Sequence, residues 1–172
     1  SILTAAEYRY IRGVIPWRTK AVFLMRDPVE RIWSQCKMQA KKATGRGGEG
    51  DAYALFGKSI DRRKFVERTG YSATVTNLKA AFDAEDIFIG FYETLFDDAE
   101  VARIAAFLGF DSFDFDTSAN PNKSADLKKP AAAEWNTVRE AFADVYDFIF
   151  AEFGDRVPAA WRAACGLSAF PG

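Results

Sequence analysis

Histidine is absent from the 172 residues of this chain. That removes the Ser-His-Asp and Cys-His nucleophile schemes and the common zinc sites, which depend on an imidazole. A general base here has to be a carboxylate, a lysine or a tyrosine. Cysteine is scarce as well: Cys36 and Cys165 lie far apart in the sequence and fit no metal or redox spacing, so no metal site is expected. Cys36 falls on an apolar stripe and reads as a small buried thiol, with a reducing cytoplasm as the expected setting. Long apolar runs are missing. No stretch approaches the roughly 20 residues of a membrane span. The opening Ser1–Gly13 carries Glu7, Arg9 and Arg12, unlike a cleavable leader. Positive charge is not in excess either. A net charge of −1 argues against a general nucleic-acid binder, which would be basic.

What the chain has is apolar mass. Hydrophobic residues make up 49% of it, including 16 Phe, enough for one globular domain over residues 1–172 with a real core. The richest stretch is Lys20-Ala-Val-Phe-Leu-Met-Arg-Asp-Pro-Val-Glu-Arg-Ile-Trp-Ser34. Ala21–Met25 is a continuous apolar run, the pattern of a strand covered on both faces. Asp27 is then a good N-cap, Pro28 suits the first helical position, and Glu30 completes an Asp-x-x-Glu capping box. Arg26 thus falls at the carboxyl end of a strand, where open α/β sheets bind ligands. Val29, Ile32, Trp33, Cys36 and Ala40 form an apolar stripe at helical spacing, with Ser34 off it. Ser34 sits roughly 9 Å along the helix from Pro28, too far to belong to the N-terminal amides, so it reaches a ligand sideways.

Further elements follow by pattern. Thr4–Ile15 reads as a helix opened by a Thr4/Glu7 capping box and closed by Pro16. Thr44–Asp51 reads as a loop. Helices are predicted over Ile60–Arg68, Tyr71–Phe82 and Asp98–Leu108, the last with Val101, Ile104, Ala105 and Leu108 inward and Gly109 as its stop. Ile87–Phe91 is a second buried strand, parallel to the first. Asp111–Lys129 is irregular, and Pro130–Phe153 reads as one long helix ended by Gly154. The tail with Trp161 and Cys165 packs back on the body. Strands alternating with helices indicate an α/β fold.

Arg26-Asp-Pro-Val-Glu-Arg-x-x-Ser34 resembles a signature of the PAPS-dependent sulfotransferases, where the Arg and the Ser hold the 3′-phosphate of the sulfate donor PAPS (3′-phosphoadenosine 5′-phosphosulfate). Glu67-Arg-Thr-Gly-Tyr71 is similar to a family segment that opens a helix and lends its Tyr to the nucleotide. The family's Gly falls on Thr69 here, with Gly70 one place later. Asp86–Asp98 looks like the family's second strand, with Glu93 at its carboxyl end read as scaffold. Val101–Phe110 matches an Ile-Ala-x-Phe-Leu-Gly helix end, and Asn120-Pro-Asn-Lys-Ser124 resembles a loop near the nucleotide, with Lys123 able to meet a phosphate. The resemblance covers the family's carboxyl part. It implies a P-loop-type three-layer fold with a small buried parallel sheet flanked by helices, incomplete on its N-terminal side. It implies donor binding by Arg26, Ser34, Tyr71 and Lys123, and sulfuryl transfer to a hydroxyl or amine acceptor without a metal. The alternative is a nonenzymatic nucleotide-binding or interaction module.

The family's Gly-rich loop with Lys is not found among these residues. Gly57-Lys58-Ser59 imitates the end of such a loop, but the earlier Gly would have to stand where Ala52 stands, and no strand precedes it. No catalytic residue is assigned on this reading, and 1–172 alone is expected not to catalyse transfer.

Overall fold

The computed structural model of the protein describes residues 2–44, 49–111 and 127–166. Its elements run α1 (Ala5–Val14), β1 (Ala21–Met25), α2 (Pro28–Thr44), α3 (Glu49–Gly57), α4 (Arg63–Thr69), α5 (Tyr71–Ala81), β2 (Ile87–Phe91), α6 (Asp98–Leu108), α7 (Ala132–Glu140), α8 (Ala143–Phe153) and α9 (Ala159–Ala164). Helix predominates around a two-stranded parallel sheet, consistent with the α/β class. The chain forms two compact units. Among the described residues, one gathers 2–26, 71–111 and 149–166 and holds the sheet. The other gathers 27–44, 49–70 and 127–148 and is helical.

In the sheet unit, α1 starts as its sequence dictates. The Thr4 hydroxyl accepts from the Glu7 N–H at 3.3 Å, and the Glu7 carboxylate accepts from the Thr4 N–H at 2.7 Å. β1 and β2 have the bounds expected of them and pair directly, with Ala21 opposite Ile87 and Met25 opposite Phe91. The ladder runs one step further, the Tyr92 N–H reaching the Met25 carbonyl at 2.7 Å. Leu78, Ala81 and Phe82 pack with Tyr8, Ala21, Phe23 and Ile87. Phe91 meets the edges of Phe153 and Trp161, and Trp161 is 1% exposed, so the tail does pack back. The expectation that β1 is covered on both faces is wrong: Val22 and Leu24 are 43% and 38% exposed. Composition could not show this, because an apolar run records what could be buried and not what arrives to cover it.

In the helical unit, Asp27 caps α2, its Oδ1 accepting the Val29 and Glu30 N–H groups at 3.0 Å each. Glu30 forms an ion pair with Lys129. The apolar stripe is buried at Val29, Ile32, Trp33, Cys36 and Ala40. Two expectations are corrected. Residues 49–51 of the expected loop belong to α3, and Pro130–Phe153 is two helices. At the break the Phe142 N–H closes on the Arg139 carbonyl at 3.0 Å, and Val145 does the same on Phe142 at 3.0 Å. Ala141 and Phe142 both tolerate helix, so the interruption has no local cause. Phe142 itself ends 3% exposed.

Burial pushes the Cys36 thiol up to about 12. Since the thiolate is the reactive form, native-state alkylation at neutral pH is expected to spare Cys36 and label it only in denaturant, as read by peptide mass spectrometry. Rapid labelling of the folded protein at Cys36 would show that this stripe opens.

Candidate functional site at the carboxyl ends of the strands

Parallel pairing puts the carboxyl ends of β1 and β2 side by side, so Arg26 and Tyr92 leave the sheet as neighbours. The Arg26 guanidinium lies 4.9 Å from the Tyr92 ring centroid, within cation–π range. Tyr71 opens α5, and its hydroxyl donates to the Arg26 carbonyl at 2.7 Å. The Tyr71 ring meets Phe23 edge-on at 5.9 Å and is 2% exposed. The backbone of Arg26 is therefore tied to α5 while its side chain, half-buried, rests on an aromatic face. Phe96 stands edge-on to Tyr92 at 6.0 Å. It helps line an apolar pocket of about 210 Å³ with Leu95, Val101, Ile104, Leu108 and Phe110. The α6 face expected to point inward thus lines an open recess, and Leu108 is 45% exposed.

No protein-family model, curated protein or solved structure matches this chain. What the site can do rests on its own geometry.

Of the four residues read from the sequence as donor-binding, the structure brings Arg26 and Tyr71 together, through backbone and hydroxyl. Ser34 is half-buried on α2, beside the buried Trp33 and off its stripe as expected, in the helical unit. Lys123 lies outside the described residues, as does the whole Asn120–Ser124 loop. Glu93 falls in the turn that follows β2. Sequence reasoning missed Tyr92 as the platform under Arg26. The signal was present: an aromatic directly after an apolar strand, in the register next to a strand-end arginine. It missed Lys129 too, which pairs with Glu30 and lies 5.2 Å from the Trp135 ring centroid. Nothing local marks that lysine.

The turn itself is electrostatically loaded. Asp27 is 6% exposed and accepts a hydrogen bond from the Tyr146 hydroxyl at 2.9 Å. Burial raises its pKa above the ordinary value, against the pull of the Glu30 N–H, Tyr146 and Arg139. Gly57-Lys58-Ser59 does not follow a strand. Gly57 ends α3, and Ser59 is fully buried with no hydrogen-bond partner for its Oγ among the described residues. Among the described residues, no group of three or more His, Cys, Asp or Glu could hold a metal, and no helix is long and apolar enough to cross a membrane. What the carboxyl-end site offers within the sheet unit is a guanidinium on an aromatic platform and an apolar recess lined by Phe96.

Proposed function

We propose that this chain is the donor-binding, carboxyl part of a PAPS-dependent sulfotransferase with a P-loop-type three-layer fold, acting in the cytoplasm on a hydroxyl or amine acceptor. The observation that carries the reading is Arg26 at the carboxyl end of β1, one residue before the Asp27-capped start of α2. A guanidinium supplies planar paired donors for a phosphate, and a helix start supplies a field that favours an anion. In this reading Arg26 and Ser34 hold the donor's 3′-phosphate, and Tyr71 and Lys123 serve the nucleotide. The sulfur–oxygen bond to the departing nucleotide breaks, the nucleotide keeps the bridging oxygen and its electron pair, and the acceptor forms the new bond to sulfur. The acceptor's proton goes to a base that none of these residues is assigned to be. Catalysis of such transfers is positioning and stabilisation of developing charge, and the residues named here supply positioning.

Calorimetry with the desulfonated nucleotide tests it. Arg26→Ala is expected to weaken binding by about 1.5–3 kcal/mol, the loss of a charge-assisted contact, and Ser34→Ala by less. Unchanged affinity in both variants would leave the motif a helix cap. The second reading, a nucleotide-binding module without catalysis, keeps the same grip. It is favoured by the placement of Gly57-Lys58-Ser59 at a helix end. Transfer of labelled sulfate from PAPS to any acceptor by the protein would exclude it.

A further inference from the structure

A second cluster of cations lies elsewhere in the sheet unit. Arg103 on α6 and Arg156, just after α8, both donate from Nη2 to one acceptor, the Ile89 carbonyl, at 3.1 and 2.6 Å. Two guanidinium groups on a single carbonyl repel each other, and Arg103 contributes to holding the Arg156 pKa below its ordinary value, after burial as the larger cause. Arg103 has its own counter-charge: its Nε donates to Glu100 at 2.8 Å. Gly90 makes room for that carboxylate, since a Cβ there would sit 2.9 Å from Glu100 Oε1. Lys79 is likewise paired, with Glu152. Arg156 makes no direct ion pair among the described residues, although the Glu100 carboxylate is near enough to act against the lowering of its pKa.

The three cations line a cavity of about 220 Å³ whose other walls are Ala84, Ile87, Ile89, Phe153 and the Lys79-paired Glu152. Capping the Ile89 carbonyl uses one nitrogen of each arginine. It leaves Nε and Nη1 of Arg156 with no protein acceptor among the described residues. A carbonyl takes two donors, so a structural role accounts for the shared contact, while the rest of the exposed Arg156 fork stays open to a ligand.

We propose that this cavity binds a small organic phosphate, its oxyanion on Arg156 and Arg103 and its apolar body against Ile87, Ile89 and Phe153. The volume suits a small molecule, below the roughly 300–1,000 Å³ of drug-sized sites. Guanidinium forks match phosphate oxygens in planar, bidentate geometry. The charge balance agrees: Lys79, Arg103 and Arg156 outnumber Glu100 and Glu152 by one, and an anion offsets that excess.

Phenyl phosphate is the probe, titrated calorimetrically at constant ionic strength with inorganic phosphate in parallel. Saturable binding is expected, several-fold tighter for phenyl phosphate than for inorganic phosphate. Arg156→Gln is expected to weaken it tenfold or more, with the fold checked by circular dichroism. Ala84→Phe fills the cavity from an exposed position and should abolish binding even if Arg156→Gln proves unstable. Arg63→Gln, at an exposed arginine that pairs with Glu67 in the helical unit, should leave it unchanged. No saturable binding, equal affinity for the two phosphates, wild-type affinity in a folded Arg156→Gln or in Ala84→Phe, or loss of binding in Arg63→Gln would each overturn the proposal.

Discussion

Phe56→Ala is expected to destabilise the protein by about 3–5 kcal/mol, the range for emptying a fully packed aromatic site. Phe56 is 0% exposed in the helical unit. Its ring stacks on Trp135 at 5.3 Å and meets the edge of Trp33 at 5.7 Å, while Trp33 stacks in turn on Tyr53 at 5.3 Å. Removing the ring therefore forfeits transfer free energy, two aromatic contacts of about 0.5–1.5 kcal/mol each, and the packing of three large neighbours around a void. Because the rings come from α2, α3 and α7, collapse to fill that void would need three helices to move together. Urea denaturation measures the loss. Tyr10→Ala, at a residue 71% exposed, is the control and should change stability by no more than about 0.5 kcal/mol. A Phe56→Ala loss below about 1 kcal/mol would mean that the aromatic stack is not a rigid core.

Asp27→Ala should cost about 2–5 kcal/mol: about 1–2 for the N-cap and about 1–3 for taking a buried acceptor from the Tyr146 hydroxyl. Asp27→Asn should cost far less, since an amide oxygen still caps α2 and an amide N–H can face Tyr146. The pair also fixes a sign. Burial raises the folded pKa of Asp27 above its ordinary 3.8, so the folded state holds this proton more tightly than the unfolded chain. Stability from this group is highest below the unfolded value. It falls as pH rises from 3.8 through the raised folded value, and is flat above that. The wild-type stability minus that of Asp27→Asn should therefore decline with rising pH across that window. A difference that instead grows with pH would show that the two backbone donors, Tyr146 and Arg139 outweigh the cost of burial.

Local chemistry was legible in the sequence. Thr4 with Glu7, Asp27 before Pro28, and Gly109 after Leu108 each marked a helix terminus, because a cap is made by residues within a few positions of one another. Gly109 takes φ 89°, the left-handed turn that a glycine stop supplies without steric cost. Ala21–Met25 and Ile87–Phe91 were legible for a related reason: each is short, apolar and followed by a helix, and both have the expected ends.

What the sequence could not decide was everything that depends on a distant partner. It determined that Val22 and Leu24 could be buried; tertiary structure left them exposed. It indicated one helix over Pro130–Phe153; tertiary structure starts it at Ala132 and breaks it at Ala141 and Phe142. It placed Tyr71 at a helix start; only folding brought that hydroxyl to the Arg26 carbonyl, 45 positions away in the chain. Nothing in the sequence pattern singles out Arg103 and Arg156, 53 positions apart in the numbering of the chain; one carbonyl gathers both. Caps and strand ends are set by hydrogen bonds within a turn or two. Coverage, breaks and charge clusters are set by contacts between segments, whose identity periodicity does not encode.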